Sequence, residues 1–176
     1  MQLTDPEFRQ LVEEHESMVY SIALRLLGDH GFAEEVAQDC FVELYRSQDR
    51  IEAGDHARFW LRRVAVHRAT DALRRRAIRP ESGAAEWDEV KEWATLANTG
   101  RARSASAMEV RMEHMLMTLP EAMRVALVLR FQEDMRPEEI SALLEQPVAT
   151  VKSHLQRGLG LLRRKANVML KEFVRG

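Results

Sequence analysis

Residues 148–164, VATVKSHLQRGLGLLRR, constrain the fold of this 176-residue chain more than any other stretch. At about 3.6 residues per turn, one side of the segment is apolar and the other is polar and cationic. The apolar side carries Val151, Leu155, Gly158, Leu159 and Leu162, and the polar side carries Thr150, Ser153, His154, Arg157 and Arg164. Residues 148–176 hold seven Lys or Arg and one acid, Glu172. The sequence therefore predicts an amphipathic helix that either binds an anionic partner such as DNA or leaves a charged face in solvent.

A shorter helix is predicted directly before this one. Pro137 begins it, Ile140, Leu143 and Leu144 face inward, and residues 145–147 form the turn. Two short helices joined by a tight turn, the second polar on its outer side, are typical of a helix-turn-helix, whose second helix enters the major groove of DNA.

Two further helices are predicted upstream of this pair. The first starts with a capping pattern at residues 106–109, and Leu119-Pro120 separates it from the second. Their predicted inward residues are Met108, Met112, Met115, Leu116 and Leu119 in the first, and Ala122, Val125, Ala126, Leu129 and Phe131 in the second.

Composition predicts an all-α fold and argues against an enzyme. Gly and Pro number only 8 and 5, and aromatic residues make up 6%. The single cysteine, Cys40, cannot form an internal disulfide, and no apolar run approaches the ~20 residues of a membrane span, so we expect a cytoplasmic protein. The six histidines form no His-x-x-x-His pair, and there is no Gly-rich phosphate loop or nucleophile elbow. We therefore expect no catalytic residue, metal site or cofactor.

The amino-terminal part predicts three helices. The first begins at Thr4 or Asp5, with Pro6 in its first turn, and ends at Gly28. We expect a stripe of apolar residues on this helix to face a core. His15 interrupts the apolar side of the helix, and we expect it to be structural rather than functional. The stripe consists of Phe8, Leu11, Val12, Val19, Ile22, Ala23 and Leu26.

The second helix, at residues 32–47, has an acidic outer side. Its inward residues are Ala33, Val36, Ala37, Cys40, Phe41 and Leu44, and its outward residues are Glu34, Glu35, Gln38, Asp39 and Glu43. Such a face either is simply solvated or docks on a basic helix of a partner.

The third helix, at residues 56–79 with Asp55 as its cap, carries a hydrogen-bonding stripe. Arg63, His67, Thr70 and Arg74 follow one another at i, i+4, i+7 and i+11. Beside them lies an apolar arc of Trp60, Leu61, Val64, Ala65 and Ala72. Basic residues next to aromatics can hold phosphates and stack bases, although Phe59 and Trp60 also suit a core. We expect Asp71 to pair with Arg68 or Arg75.

Residues 80–107 separate the two halves. This stretch is rich in small and polar residues and holds five acids against three bases, whereas residues 51–79 hold three acids against eight bases. We therefore expect two small helical domains, residues 1–79 and 108–176, joined by a flexible acidic linker that could span on the order of 90 Å when extended.

Together these segments resemble the extracytoplasmic-function (ECF) group of bacterial RNA polymerase sigma factors. AEEVAQDCFVELYR and FWLRRVAVHRATDALRRR are similar to the second sigma region, and LPEAMRVALVLRF and EEISALLEQPVATVKSHLQRGLGLLRR to the fourth. Either half alone is moderately specific, because helix-turn-helix patterns are common. The presence of both halves in this order, separated by an acidic linker, makes the resemblance to the family strong.

The resemblance implies a role for each segment. The helix at 32–47 would dock on a coiled coil of the polymerase's largest subunit, through a face that includes Glu35, Gln38 and Asp39. The third helix would recognise and melt the minus-ten promoter element, and the last would read the minus-thirty-five element in duplex form. The implied minus-ten contacts are Arg62, Arg63, His67, Thr70 and Arg74, and the implied minus-thirty-five contacts are Thr150, Lys152, Ser153, His154, Arg157 and Arg164. The partners would be core RNA polymerase, promoter DNA and an anti-sigma factor.

Three residues depart from the family pattern. His67 stands where asparagine is usual, and His154 where arginine is usual, so base preference should differ at those contacts because imidazole cannot make a bidentate guanine contact. Glu145 stands where the turn usually has glycine. If the turn needs a positive φ, Glu145 is strained there.

Two other classes of function compete with a sigma factor. A stand-alone regulator could bind DNA as a homodimer through residues 148–164, but it would need neither the third helix nor the acidic face of the second. An enzyme is the weakest alternative, because no catalytic or metal-binding motif is present.

Overall fold

The computed structural model describes residues 4–52, 54–78 and 107–175, and all regular elements within these ranges are helical. The amino-terminal unit contains α1 (Asp5–Leu27), α2 (His30–Ser47), a 3-10 turn (Gln48–Arg50) and α3 (Asp55–Ile78). The carboxy-terminal unit contains α4 (Ala107–Met117), α5 (Glu121–Leu127), a π-helical segment (Val128–Gln132), α6 (Pro137–Leu144) and α7 (Val148–Arg175). The all-α prediction is confirmed, and the predicted linker, apart from Ala107, lies outside the described residues.

The ends of α1 follow the predicted signals. The Thr4 backbone N–H donates to the Glu7 carboxylate at 2.8 Å. At the other end Gly28 has a φ of 67°, and its N–H donates to the Leu24 carbonyl at 2.7 Å. Asp29 then caps α2 by accepting the Phe32 N–H at 2.9 Å. Because Asp29 supplies this cap, α2 begins two residues earlier than the periodicity predicts.

A three-helix core holds the amino-terminal unit together. Val19, Ile22, Leu44, Leu61 and Ala65, from all three helices, are fully buried, as the periodicity predicts. Phe59 and Trp60 are half-buried and pack against this core. His15 is also in the core, 4% exposed, and its Nε2 has no hydrogen-bond partner in the part of the chain that is described.

The carboxy-terminal unit buries one face of α7 against α5 and α6. Leu129, Ile140, Leu143 and Val151 are fully buried. Gly158 is buried as well, and a Cβ there would lie 2.9 Å from Leu127 Cδ1. The missing side chain is therefore what lets α7 approach α5 so closely.

Three residues predicted to face inward are exposed. Met112 is 57% exposed because only the last turn of α4 packs, so residues 111–114 are all open to solvent. Phe131 is 63% exposed because the π-helical segment inserts one extra residue into its turn and rotates the following side chains. Ala122 is exposed in the first turn of α5.

The two units touch. The α1 helix contacts α4 and α5, and α3 contacts α6. Arg124 lies at the centre of this contact and is only 7% exposed. Its guanidinium donates to the carbonyl oxygens of Leu26 (2.6 Å), Met117 (2.9 Å) and Leu119 (3.0 Å). These carbonyls lie at or just beyond helix ends, where backbone oxygens lack intrahelical partners. Arg124 therefore ties the end of α1 to the carboxy-terminal unit.

Candidate nucleic-acid interface

The predicted stripe on α3 is accessible. His67 and Arg74 are exposed, and the Arg63 side chain is 39% exposed. Thr70 is half-buried, and its hydroxyl donates to the His67 carbonyl at 3.0 Å, so it is engaged with the helix backbone. Their spacing places these four residues along one side of α3.

Arg62 lies elsewhere. Its side chain is only 13% exposed, and Nε donates to the Glu133 carboxylate at 2.9 Å. A second nitrogen donates to the Glu133 carbonyl at 3.1 Å. Since Arg62 is one position from Arg63, it points about 100° away around the helix, towards the carboxy-terminal unit. The structure therefore does not bring Arg62 into the exposed stripe.

Two of the stripe arginines also meet acids of the carboxy-terminal unit. One Arg63 guanidinium nitrogen lies 2.6 Å from a Glu145 carboxylate oxygen. An Arg74 nitrogen lies 3.5 Å from a carboxylate oxygen of Glu121. Sequence reasoning missed all three contacts, because the partners are separated by 47 to 82 positions.

The acidic side of α2 faces a groove shared with α3. Glu34, Glu35, Gln38 and Asp39 are exposed, as predicted. The groove has a volume of about 700 Å³, and its walls include Glu35 and Asp39 on one side and Arg63 and His67 on the other. Two of the three predicted polymerase-docking residues and two of the five predicted minus-ten residues thus border one concave surface, whereas Gln38, Arg62, Thr70 and Arg74 do not line it.

Arg68 joins the two walls of this groove. Its guanidinium donates to the Glu43 carboxylate at 2.5 and 2.8 Å and to Asp39 at 3.4 Å. The hydrogen bond to Glu43 raises the pKa of Arg68 above its ordinary value. The predicted pairing of Asp71 with Arg68 or Arg75 is wrong: Asp71 lies 4.0 Å from Arg74, and Arg68 reaches across to α2 instead.

On α7 the predicted contact face is open at its cationic positions. Lys152, Arg157 and Arg164 are exposed, while Thr150, Ser153 and His154 are half-buried. Lys152 lies 4.0 Å from Glu138 on α6. The Nδ1 atom of His154 is buried without a hydrogen-bond partner among the described residues, so only part of this imidazole is available for a ligand.

The turn between α6 and α7 requires a positive φ. Glu145 has φ 54° and ψ 44°, the left-handed conformation that glycine adopts at least cost, and its N–H donates to the Ser141 carbonyl. The expectation of strain is therefore confirmed. The carboxylate of Glu145 is turned towards Arg63.

Neither a metal-binding cluster nor a reactive thiol is present in the part of the chain that the structure describes. No cluster of three or more His, Cys, Asp or Glu side chains able to hold a metal occurs within the described ranges. Burial raises the pKa of the Cys40 thiol to about 12, so it is a poor nucleophile. No helix among the described residues is long and apolar enough to cross a membrane.

Two family models match the two helical units. Residues 11–78 match sigma-70 region 2, and residues 109–162 match sigma-70 region 4. The chain belongs to the ECF group of the sigma-70 family. It is an alternative sigma factor, a protein that directs transcription initiation.

Curated relatives of this sigma factor come from several bacteria. It is 33% identical over 159 residues to the ECF RNA polymerase sigma factor SigE of Mycolicibacterium smegmatis, covering 90% of this chain but only 61% of SigE. It is 27% identical to the ECF RNA polymerase sigma-E factor of Escherichia coli strain K12, covering 93% and 88% of the two chains. It is 24% identical to SigW of Bacillus subtilis strain 168, covering 90% and 88%.

Two solved structures share the fold. The sigma factor RpoE in complex with the anti-sigma factor NepR from Bartonella quintana gives a TM-score of 0.69 at 20% identity, covering 92% of this chain and 97% of RpoE. CnrH in complex with the cytosolic domain of CnrY gives a TM-score of 0.66 at 22% identity, covering 94% and 90%.

Proposed function

We propose that this sigma factor binds core RNA polymerase through α2 and recognises promoter DNA through α3 and α7. The observation that carries the proposal is the match of two sigma-70 regions to two helical units, each with exposed cations on one helix. Residues 1–79 would form region 2, residues 80–107 the acidic linker and residues 108–176 region 4.

Region 4 would read the minus-thirty-five element through α7. Arg157 and Lys152 are exposed and carry the charge that phosphates and guanine edges attract. Arg164, two turns further along, would contact the DNA backbone. Thr150, Ser153 and His154 are half-buried near the start of α7 and would contribute further contacts there.

Region 2 would engage the minus-ten element through α3. Arg63, His67 and Arg74 would meet phosphates or unstacked bases, with Thr70 beside them. Arg62 is a candidate contact as well, although in this structure it is held by Glu133. Because His67 offers fewer hydrogen-bond donors than the asparagine that is usual at this position, base preference here would differ from the family pattern.

The acidic face of α2 would dock on a basic surface of the polymerase. Glu35, Gln38 and Asp39 are exposed together on this face. Reversing Glu35 and Asp39 to Lys should therefore reduce recovery of core polymerase in a pull-down. The matched control is reversal of Glu13 and Glu16, two exposed acids on α1. Equal recovery with both double variants would contradict the assignment of α2.

We further propose an anti-sigma protein as a regulatory partner, because the related RpoE was solved with NepR. The protein would act in the cytoplasm, where polymerase and chromosome are located. It would be a non-catalytic initiation factor without cofactor, metal or small-molecule substrate.

Run-off transcription tests the proposal as a whole. Purified core polymerase is supplied with genomic fragments, with and without this protein, and discrete transcripts should appear only when it is present. DNA binding that neither requires nor recruits polymerase would instead support a stand-alone homodimeric regulator.

A further inference from the structure

His154 lies on the polar face of α7, between two other residues of that face. It comes one helical turn after Thr150 and one turn before Arg157, so the three side chains project from the same side of the helix. The buried side of α7, which carries Val151 and Leu155, lies directly beside it. His154 is accordingly half-buried, at the border between the polar face and the core.

This border position determines what the imidazole can offer to a ligand. Nδ1 is fully buried and has no hydrogen-bond partner in the ranges that the structure describes. Since His154 as a whole is only half-buried, Nε2 is the ring nitrogen that is left to meet a ligand. One edge of the ring packs against the protein, so this nitrogen is held in place more firmly than the end of a long arginine side chain would be.

The buried nitrogen also decides where the imidazole carries its proton. In a neutral imidazole one ring nitrogen is an N–H donor and the other is an acceptor. A proton on Nδ1 of His154 would create a buried N–H group without an acceptor, and in proteins orphaned N–H donors are rarer than under-satisfied acceptors. A doubly protonated ring would bury the same N–H and add a charge. The proton therefore belongs on Nε2, and His154 presents a single N–H donor.

A single donor discriminates between bases differently from a side chain that makes two hydrogen bonds. Arginine pairs with both N7 and O6 of guanine, and glutamine pairs with N7 and the N6 amino group of adenine. The N7 atom is an acceptor in both purines, and pyrimidines lack it. One N–H group directed at N7 therefore gains the same hydrogen bond from adenine as from guanine.

We propose that His154 makes this sigma factor recognise one position of the minus-thirty-five element as a purine, adenine and guanine alike, through one hydrogen bond from Nε2. The inference rests on the proposed function of α7 as the reader of duplex DNA. His154 lies in the second turn of a helix that begins at Val148, and the N-terminal part of a recognition helix is the part that contacts base edges. The degenerate position should therefore follow residue 154, whatever its neighbours contact.

The position of the proton can be measured on the free, full-length protein. Labelling the histidines with nitrogen-15 gives distinct nuclear magnetic resonance signals for protonated and unprotonated ring nitrogens, and His154→Gln identifies the signals of residue 154. At pH 8, Nε2 should carry the proton and Nδ1 should not. A proton on Nδ1 would overturn the inference.

Base preference is measured by selecting duplexes with a randomised minus-thirty-five element on the complex of this protein with core polymerase. At one position the wild type should recover adenine and guanine within about twofold of each other, and each pyrimidine about fivefold less often. His154→Arg should favour guanine at that same position by about tenfold, and His154→Gln should favour adenine by a similar factor, because each variant makes a bidentate contact.

Gln156→Arg is the matched control for these variants. Gln156 is exposed on α7, and because it is two positions from His154 it points about 200° away around the helix. The control thus adds an arginine to the same helix without placing it on the polar face, and it should leave every base preference unchanged. Melting temperatures show whether each variant at residue 154 folds, and the two substitutions give independent tests.

Two outcomes would overturn the inference while the proposed function stands. One is a wild-type preference of tenfold for a single purine at the position that His154→Arg alters. The other is a selection that enriches one element but is unchanged by both folded variants at residue 154. If neither the wild type nor any variant selects an element, α7 is not the duplex reader, and the proposed function fails together with the inference.

Discussion

Arg124 should be the most sensitive polar residue in this protein. Its guanidinium is buried, and its hydrogen-bond acceptors are three carbonyl oxygens, those of Leu26, Met117 and Leu119, rather than carboxylates. Burial lowers the pKa of Arg124, and nearby Glu121 offsets part of that effect. The side chain nonetheless stays charged at neutral pH, because arginine is the strongest base among the side chains.

The cost of Arg124→Met follows from these contacts. Three hydrogen bonds from a charged donor stabilise the fold by ~1.5 kcal/mol each, or ~4.5 kcal/mol together. Removing the charge also relieves its desolvation, including that of an Nε atom without a partner among the described residues, by on the order of 2 kcal/mol. The net loss is about 2–3 kcal/mol, which lowers the melting temperature of a protein of this size by on the order of 5–10 °C.

Thermal unfolding followed by circular dichroism measures this loss. Arg163→Met, at an exposed arginine of α7, is the matched control and should leave the melting temperature within about 1 °C of the wild type. Arg124→Lys should fall between the two, because an ammonium cannot reach three divergent carbonyls with the geometry of a guanidinium. If Arg124→Met has the same melting temperature as the wild type, the buried guanidinium does not stabilise the contact between the units.

Four further outcomes are expected. Gly158→Ala should destabilise the protein by about 1–2 kcal/mol in urea unfolding, because its Cβ would press on Leu127. Cys40 should resist alkylation near pH 8, where its thiolate fraction is on the order of one in ten thousand, and react readily in guanidinium chloride. Burial lowers the pKa of His15 in the folded protein. As pH falls through about 6.5, the unfolded chain therefore binds a proton at this histidine before the folded protein does, which lowers the free energy of unfolding. The wild type should lose more stability over this pH range than His15→Leu. Arg157→Ala should weaken binding to promoter DNA about tenfold without lowering the melting temperature.

Each of these has a clear contrary result. Equal urea midpoints would mean that α7 shifts freely at Gly158. Rapid alkylation of the native thiol would contradict the burial of Cys40, and parallel pH profiles would show that His15 titrates alike in both states. Unchanged promoter affinity for Arg157→Ala, measured at one fixed salt concentration, would count against α7 as the duplex reader.

Much of the local structure could be predicted because its signals are local. The cap at Thr4, the glycine ending α1 and the proline opening α6 lie where the backbone needs them, and the periodic stripes identify most of the core. The residues that depart from these predictions do so for physical reasons that the periodicity of the sequence does not reveal. Phe131 is exposed because a π-helical turn interrupts the register, and Arg68 pairs across to α2 because the packing of α2 on α3 brings Glu43 within reach.

The candidate site divides in the same way. The exposure of Arg157, His67 and Asp39 follows from the polar side of an amphipathic helix, which a sequence shows directly. By itself the sequence thus determined the helices, their polar faces and the family. Only the tertiary structure decided where Arg62 and Arg124 point and which arginines meet glutamates. Those contacts join residues far apart in the chain, and their geometry depends on how the two helical units pack against each other.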